Sequence, residues 1–199
     1  MAPLWPYSTP GIPDYLFEQL PGIPISKREA RLLIVGALRL KPNSQLWDLG
    51  AGTGTIVVEA ALLCPEGQVV AVERDPEVAN LIRLNCDRFQ LTNVEVVEGL
   101  APDCLSMLPP HPDCVIIEGG KSMQDIVAAA WNYLPNGGRL VVTTGTLETL
   151  YGISETFAKL CVRNVESVQP AINRLETRGM QQVFKAIDPI FILSGEKLN

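Results

Sequence analysis

The chain has 199 residues and a net charge of −6, a length that suits one domain able to bury its own core. The acidic balance argues against a general nucleic-acid binder, because neutralising phosphate demands a basic face, and no apolar run approaches the ~20 residues that span a bilayer. Five cysteines, odd in number and without a Cys-x-x-Cys pair, indicate neither a zinc site nor a disulfide framework, so no metal is expected and a reducing, cytoplasmic setting is.

The sixteen prolines cluster in the first 24 residues and between Pro102 and Pro112. Residues 1–25 therefore read as an irregular arm packed on the domain proper, residues 26–199. Ser26-Lys27-Arg28-Glu29 reads as a capping box, followed by helical spacing of Ala30, Leu33, Ile34, Ala37 and Leu38 that predicts a helix to about Leu40, before Pro42.

Strand and helix then alternate in the manner of parallel strands joined by crossover helices. Strands are predicted at Gln45–Asp48, Val69–Glu73, Val94–Val97, Cys114–Ile117 and Arg139–Thr143. Helices are predicted from about Gly54 to Cys64, from Asp75-Pro76 with Val78, Ile82, Cys86 and Phe89 inward, over Gln124–Leu134 and over Leu147–Leu160. Beyond them Val162–Val168 and Gln182–Leu193 read as two antiparallel strands, with Asp188-Pro189 breaking the second at an edge or bulge. The intervening Gln169–Gln181 reads as a long, functional loop. Charge is uneven along the chain: residues 159–199 hold six Lys/Arg against four Asp/Glu, so the C-terminal part is better suited to an anionic substrate.

The run Leu46-Trp47-Asp48-Leu49-Gly50-Ala51-Gly52-Thr53-Gly54 is a strand ending in a glycine-rich turn, and Val69-Val70-Ala71-Val72-Glu73 is a second strand ending in an acid. Glycine allows a backbone to approach a ligand closely and supplies positive φ, while an acid at the next strand tip can accept from both hydroxyls of a ribose. Dinucleotide sites favour Gly-x-Gly-x-x-Gly with a phosphate at the helix N-terminus. Here the spacing is Gly-x-Gly-x-Gly, and the Asp48 carboxylate two residues upstream would repel phosphate and welcome an ammonium group. Glu118, at the fourth strand's end, can shape a substrate pocket or serve as a capping acid. The single histidine, His111, lies among prolines and reads as a solvated loop residue.

The glycine run with Asp48 and Glu73 resembles motif I of the class I methyltransferases, which bind S-adenosylmethionine. Gly11-Ile12-Pro13-Asp14, Gly22-Ile23-Pro24-Ile25-Ser26-Lys27, Val96-Val97-Glu98-Gly99-Leu100-Ala101-Pro102 and Phe184-Lys185-Ala186 further resemble the decarboxylating precorrin-6B C15-methyltransferases of cobalamin biosynthesis. The resemblance implies a three-layer α/β, Rossmann-like class I methyltransferase fold with a seven-stranded, mostly parallel sheet and a C-terminal antiparallel hairpin. It implies that Ser26, Asp48, Gly50, Ala51, Gly52, Thr53, Gly54, Glu73 and Ala101 form the S-adenosylmethionine site, Ser26 having a second reading as a helix cap. It also implies a tetrapyrrole substrate methylated at C15 with loss of an acetate carboxyl, no membrane or nucleic-acid partner, a homo-oligomer (a tetramer in the family), and a separate C5-methylating enzyme, since this chain has no room for such a domain. Arg174, Arg178 and Lys185 are candidates for the substrate's carboxylates. Rival readings are a methyltransferase of RNA or protein and a cofactor-binding subunit without catalysis of its own.

Overall fold

Continuous Val/Ile/Leu runs in the middle of the chain require strands covered on both faces, and the computed structural model, which describes residues 3–198, builds such a sheet. In chain order the elements are α1 (Arg28–Leu38), β1 (Gln45–Leu49), α2 (Thr55–Leu63), β2 (Gln68–Glu73), α3 (Pro76–Arg88), β3 (Val94–Glu98), β4 (Cys114–Ile117), α4 (Met123–Tyr133), β5 (Arg139–Thr144), α5 (Leu147–Lys159), β6 (Arg163–Val168), β7 (Asn173–Arg178), β8 (Gln181–Ala186) and β9 (Phe191–Glu196). Seven strands form one sheet in the order β3-β2-β1-β4-β5-β9-β6. β1 to β5 run parallel, and β9 is antiparallel to both β5 and β6. The fold is the Rossmann-like α/β arrangement expected from the alternation of strands and helices.

Side-chain alternation sends each strand's residues to two cores. Leu46, Val69, Ala71, Ile116 and Val141 pack with Ile34, Ile56 and Ile82 of α1 to α3. Trp47, Leu49, Val115, Ile117 and Val142 pack with Ile126, Trp131 and Phe157 of α4 and α5. Strand order reverses between β1 and β4, so a crevice opens outside their carboxyl ends, where ligands bind in open α/β sheets.

Three local expectations need correction. Ser26 does not cap α1: the cap position is Lys27 without a side-chain bond, and the amide of Arg28 is taken by Asp14 Oδ1 at 3.0 Å. An acid brought in from the arm thus does the capping, and α1 ends at Leu38 because Arg39 turns left-handed at φ 52°. The predicted long loop at 169–181 is largely ordered as β7, which pairs with β8 in a separate two-stranded ribbon closed by a tight turn at Gly179, φ +61°. The predicted strand Gln182–Leu193 is two strands. Asp188-Pro189 separates β8 in the ribbon from β9 in the main sheet, because proline offers no ladder donor.

The arm is fastened by buried charge. Arg31 of α1 is fully buried and donates from Nε to Glu59 Oε1 at 2.9 Å and from Nη1 to Asp14 Oδ1 at 2.8 Å. It also reaches the carbonyls of Ile12 and Ser26 and lies 4.9 Å from the centre of the Phe17 ring. Glu59, equally buried, accepts from the amides of Gly11 and Ile12 at 2.7 and 3.1 Å. Asp14 pairs in turn with Arg174 of β7 at 2.7 Å, and Arg174 pairs with Glu29. Arm, α1, α2 and ribbon therefore share one ionic network.

Removing one member of a buried pair strands its partner, so Arg31→Met should lower unfolding free energy by about 3–5 kcal/mol. Arg174→Ala, at a half-exposed pair, should lower it by less than ~1 kcal/mol. Urea unfolding midpoints at constant slope check both.

Candidate functional site

The turn after β1 shows why its glycines are needed. Gly50 adopts φ +79°, and a Cβ there would lie 3.0 Å from the carbonyl oxygen of Gly119 after β4. Gly54 adopts φ +78° at the start of α2, where a Cβ would meet Ile82 Cγ2 of α3 at 2.9 Å. The first glycine lets β1 and β4 end close together, and the third lets α2 settle on α3. Nothing lies within 4 Å of a Cβ built on Gly52, so its backbone faces open space.

That space is a cavity of about 420 Å³ at the carboxyl ends of β1, β2 and β4. Gly50, Gly52, Glu73 and Ala101, all singled out from sequence, line it, as do Ile23 and Pro24 of the arm, Asp75, Leu100, Glu118 and Lys121. Glu73, at the tip of β2, accepts from Gly52 N at 3.1 Å on one oxygen, and from Arg74 N at 2.9 Å and Asp75 N at 3.1 Å on the other. These bonds aim the carboxylate and leave lone pairs for a ligand's hydroxyls. Asp75 uses its own carboxylate to cap α3, accepting from Glu77 N and Val78 N.

The remaining residues stand differently. Ala51 is buried in the core. Thr53 is buried and donates its hydroxyl to the Pro24 carbonyl at 2.8 Å, tying the turn to the arm. Gly54 starts α2. None of these three lines the cavity, and their visible work is to shape and brace the turn. Ser26 lies just behind the wall, with its hydroxyl donating to Glu118 Oε2 at 2.9 Å. His111 sits exposed at φ 61° in its proline loop, away from the cavity.

An acid pair stands at the cavity wall: Glu118 lines the cavity, and Asp48 lies behind it, outside the lining. Asp48 shares a strand face with Leu46, is fully buried, and neither carboxyl oxygen has a hydrogen-bond donor. Burial raises its pKa well above the ordinary carboxylate value, and the charges of Glu118 and Glu73 push in the same direction. Glu118 is itself pushed up to about 7, by burial first, while the Ser26 hydroxyl and the Arg31 charge pull the other way. A donor-poor pair of carboxyls beneath a glycine turn is an environment suited to a cation. Each acid could be seen in the sequence. Their partnership could not, because it arises only when β1 and β4 become neighbours.

Cations for an anionic substrate are also redistributed. Arg174 is committed to Asp14 and Glu29, and those bonds raise its pKa further. Arg178 and Lys185 remain exposed, each near Glu176 at 3.7 and 3.5 Å. Lys121 stands at the cavity mouth. Its signal was the Gly119-Gly120-Lys121 run directly after a strand, which places a cation where the backbone is open.

A family model described as the precorrin methyltransferase domain matches residues 19–197 of this chain. A probable cobalt-precorrin-6B C(15)-methyltransferase (decarboxylating) of Saccharolobus solfataricus is 36% identical over 196 residues, covering 97% of this chain and 98% of that protein. The cobalt-precorrin-6B C(15)-methyltransferase (decarboxylating) of Salmonella typhimurium is 32% identical, covering 92% of this chain and 95% of that protein. The crystal structure of precorrin-6y C5,15-methyltransferase from Geobacter metallireducens superposes with a TM-score of 0.88 at 32% identity, covering 94% of this chain and 98% of that one.

The buried acid generates a test of its own. An acid with a raised folded-state pKa binds more protons folded than unfolded, so stability falls as pH rises from the unfolded value of about 3.9 toward the folded one. Asp48→Asn removes that penalty. Its thermal midpoint should exceed that of the unaltered protein by at least ~2 °C at pH 8, with the gap closing toward pH 5. Equal midpoints at both pH values would show that Asp48 has an ordinary pKa.

Proposed function

The chain belongs to the precorrin methyltransferase family, and on that premise we propose that it transfers a methyl group from S-adenosylmethionine to C15 of a precorrin-6B-type tetrapyrrole and removes carbon dioxide from an acetate side chain. The observation that carries this reading is the end-to-end identity with decarboxylating C15-methyltransferases, joined to a cavity built from a glycine turn and a strand-tip acid. This favours the tetrapyrrole over an RNA or protein acceptor.

The residues present fit the methyl donor. Glu73 has acceptor capacity for two ribose hydroxyls. The open backbone at Gly50 and Gly52 admits the amino-acid portion, and Asp48 with Glu118 supplies negative charge for an ammonium group. Ala101, small and largely buried, leaves room for a flat ring beside Leu100. Ser26 would act through Glu118, and Ala51, Thr53 and Gly54 would act through the shape of the turn.

When bound, S-adenosylmethionine supplies an electrophilic methyl on a sulfonium. The protein's part is then to hold an electron-rich ring carbon in line with it and to exclude water, and orientation of this kind can supply up to roughly 7–11 kcal/mol of the barrier. Lys121, Arg178 and Lys185 are the cations available for the macrocycle's carboxylates. Leu175 and Phe184, opposite one another on the ribbon and exposed, support self-association through that face, because paired apolar side chains on a projecting ribbon favour cover. No helix among the described residues is long and apolar enough to cross a membrane.

Purified protein incubated with S-adenosylmethionine and a precorrin-6B-type substrate should yield a product heavier by one methyl and lighter by one carbon dioxide, read by mass. Cofactor binding without turnover of any tetrapyrrole would favour the RNA or protein acceptors. In the same assay Arg178→Ala should raise the substrate KM while leaving cofactor affinity intact. Unchanged kinetics would remove Arg178 from the substrate face.

A further inference from the structure

Glu118 lines the cavity, and behind it, outside the lining, lies a second carboxyl, that of Asp48, with no cation of its own. Asp48 is fully buried with no fixed donor to either oxygen, which is rare for a native buried polar side chain, and the group it interacts with is the carboxyl of Glu118. Glu118 also accepts from Ser26. We propose that the Asp48–Glu118 pair stores a proton in the free protein and releases it when a ligand ammonium arrives, so that docking of the methyl donor and proton release are a single event. The inference rests on the reading of the cavity as the S-adenosylmethionine site and deepens it.

The buried Asp48 carboxylate and the half-buried Glu118 carboxylate repel, and a proton shared between them in a hydrogen bond relieves the repulsion. The groups facing the pair are few. Glu73 at the tip of β2 adds negative charge, Arg31 of α1 adds positive charge toward Glu118, and Ser26 adds a neutral donor. Lys121, Arg74 and Asp75 stand at the rim. Arg31 is already committed to Glu59 and Asp14, so it cannot serve as the pair's dedicated cation. An α-ammonium group stays charged below about pH 7.5 and brings what the pair lacks. On its arrival the shared proton leaves to solvent and no covalent bond changes. Ionisation of Glu118 strengthens the bond it accepts from Ser26, so the arm that lines the cavity is held more firmly once the ligand is in.

The charge logic separates two ligands sharing one nucleoside. S-adenosylhomocysteine carries the α-ammonium, and 5′-methylthioadenosine carries no amino-acid portion. Calorimetric titration in buffers of different ionisation enthalpy should show up to one proton released per S-adenosylhomocysteine bound near pH 6, and none for 5′-methylthioadenosine. Affinity for S-adenosylhomocysteine should rise by up to about tenfold per pH unit below pH ~7 and level off above it, while that of 5′-methylthioadenosine stays flat. Glu118→Gln should abolish the proton release and flatten the profile. Ser26→Ala should move the midpoint upward, since it removes a donor that favours ionised Glu118. Binding of both nucleosides with no proton release overturns the proposal and leaves the cofactor reading standing. If neither nucleoside binds, the cofactor reading fails and the proposal fails with it.

Discussion

One buried guanidinium organises this protein. Arg31 belongs to a helix on the outer layer, yet its side chain is wholly removed from water and answers Glu59 on one side and Asp14 on the other. A charge in that position is tolerable only when its donors are satisfied, and here carbonyls of Ile12 and Ser26 complete the set. The irregular, proline-rich arm has almost no regular secondary structure to hold it. This cage of ionic bonds supplies its geometry instead, and Ile23 and Pro24 line the cavity as a result.

The site is built by opposite means. Around Arg31 every charge has an opposite partner, whereas the buried Asp48 faces a second acid, the half-buried Glu118. An orphaned carboxyl lowers stability when nothing is bound, and binding sites commonly carry such a burden. The glycine turn has a similar character: positive φ at Gly50 and Gly54 costs a flexible chain entropy, in return for a close meeting of β1 with β4 and of α2 with α3.

Legibility in the sequence followed the range of the interactions. The alternation of strands and helices, the β1 turn and the acid at the tip of β2 depend on neighbouring residues, and all three stand where local patterns place them. Ser26-Lys27-Arg28-Glu29 satisfies every local condition for a capping box, yet Asp14 and Glu118 compete for its groups from elsewhere in the fold and win. β7 falls in the stretch expected to be loop because its residues alternate polar with apolar only weakly and both faces of its ribbon remain exposed, leaving no buried stripe to signal a strand. Arg174 looked free because its partners, Glu29 and Asp14, lie near the other end of the chain.

That last bond has a bearing on how the molecule matures. Arg174 and Asp14 are 160 residues apart in sequence, and β9, which must slide between β5 and β6, ends at Glu196. A chain emerging from the ribosome can pair β1, β2 and β4 early, but the arm lacks one of its clasps until β7 is made and the sheet lacks an inner strand until β9 is. Long-range contacts of this sort are slow to form, and they expose intermediates meanwhile. Full clasping of the arm thereby waits on β7, so a product ending before Arg174 would carry the glycine turn with an arm held by Arg31 and Glu59 but not by Arg174.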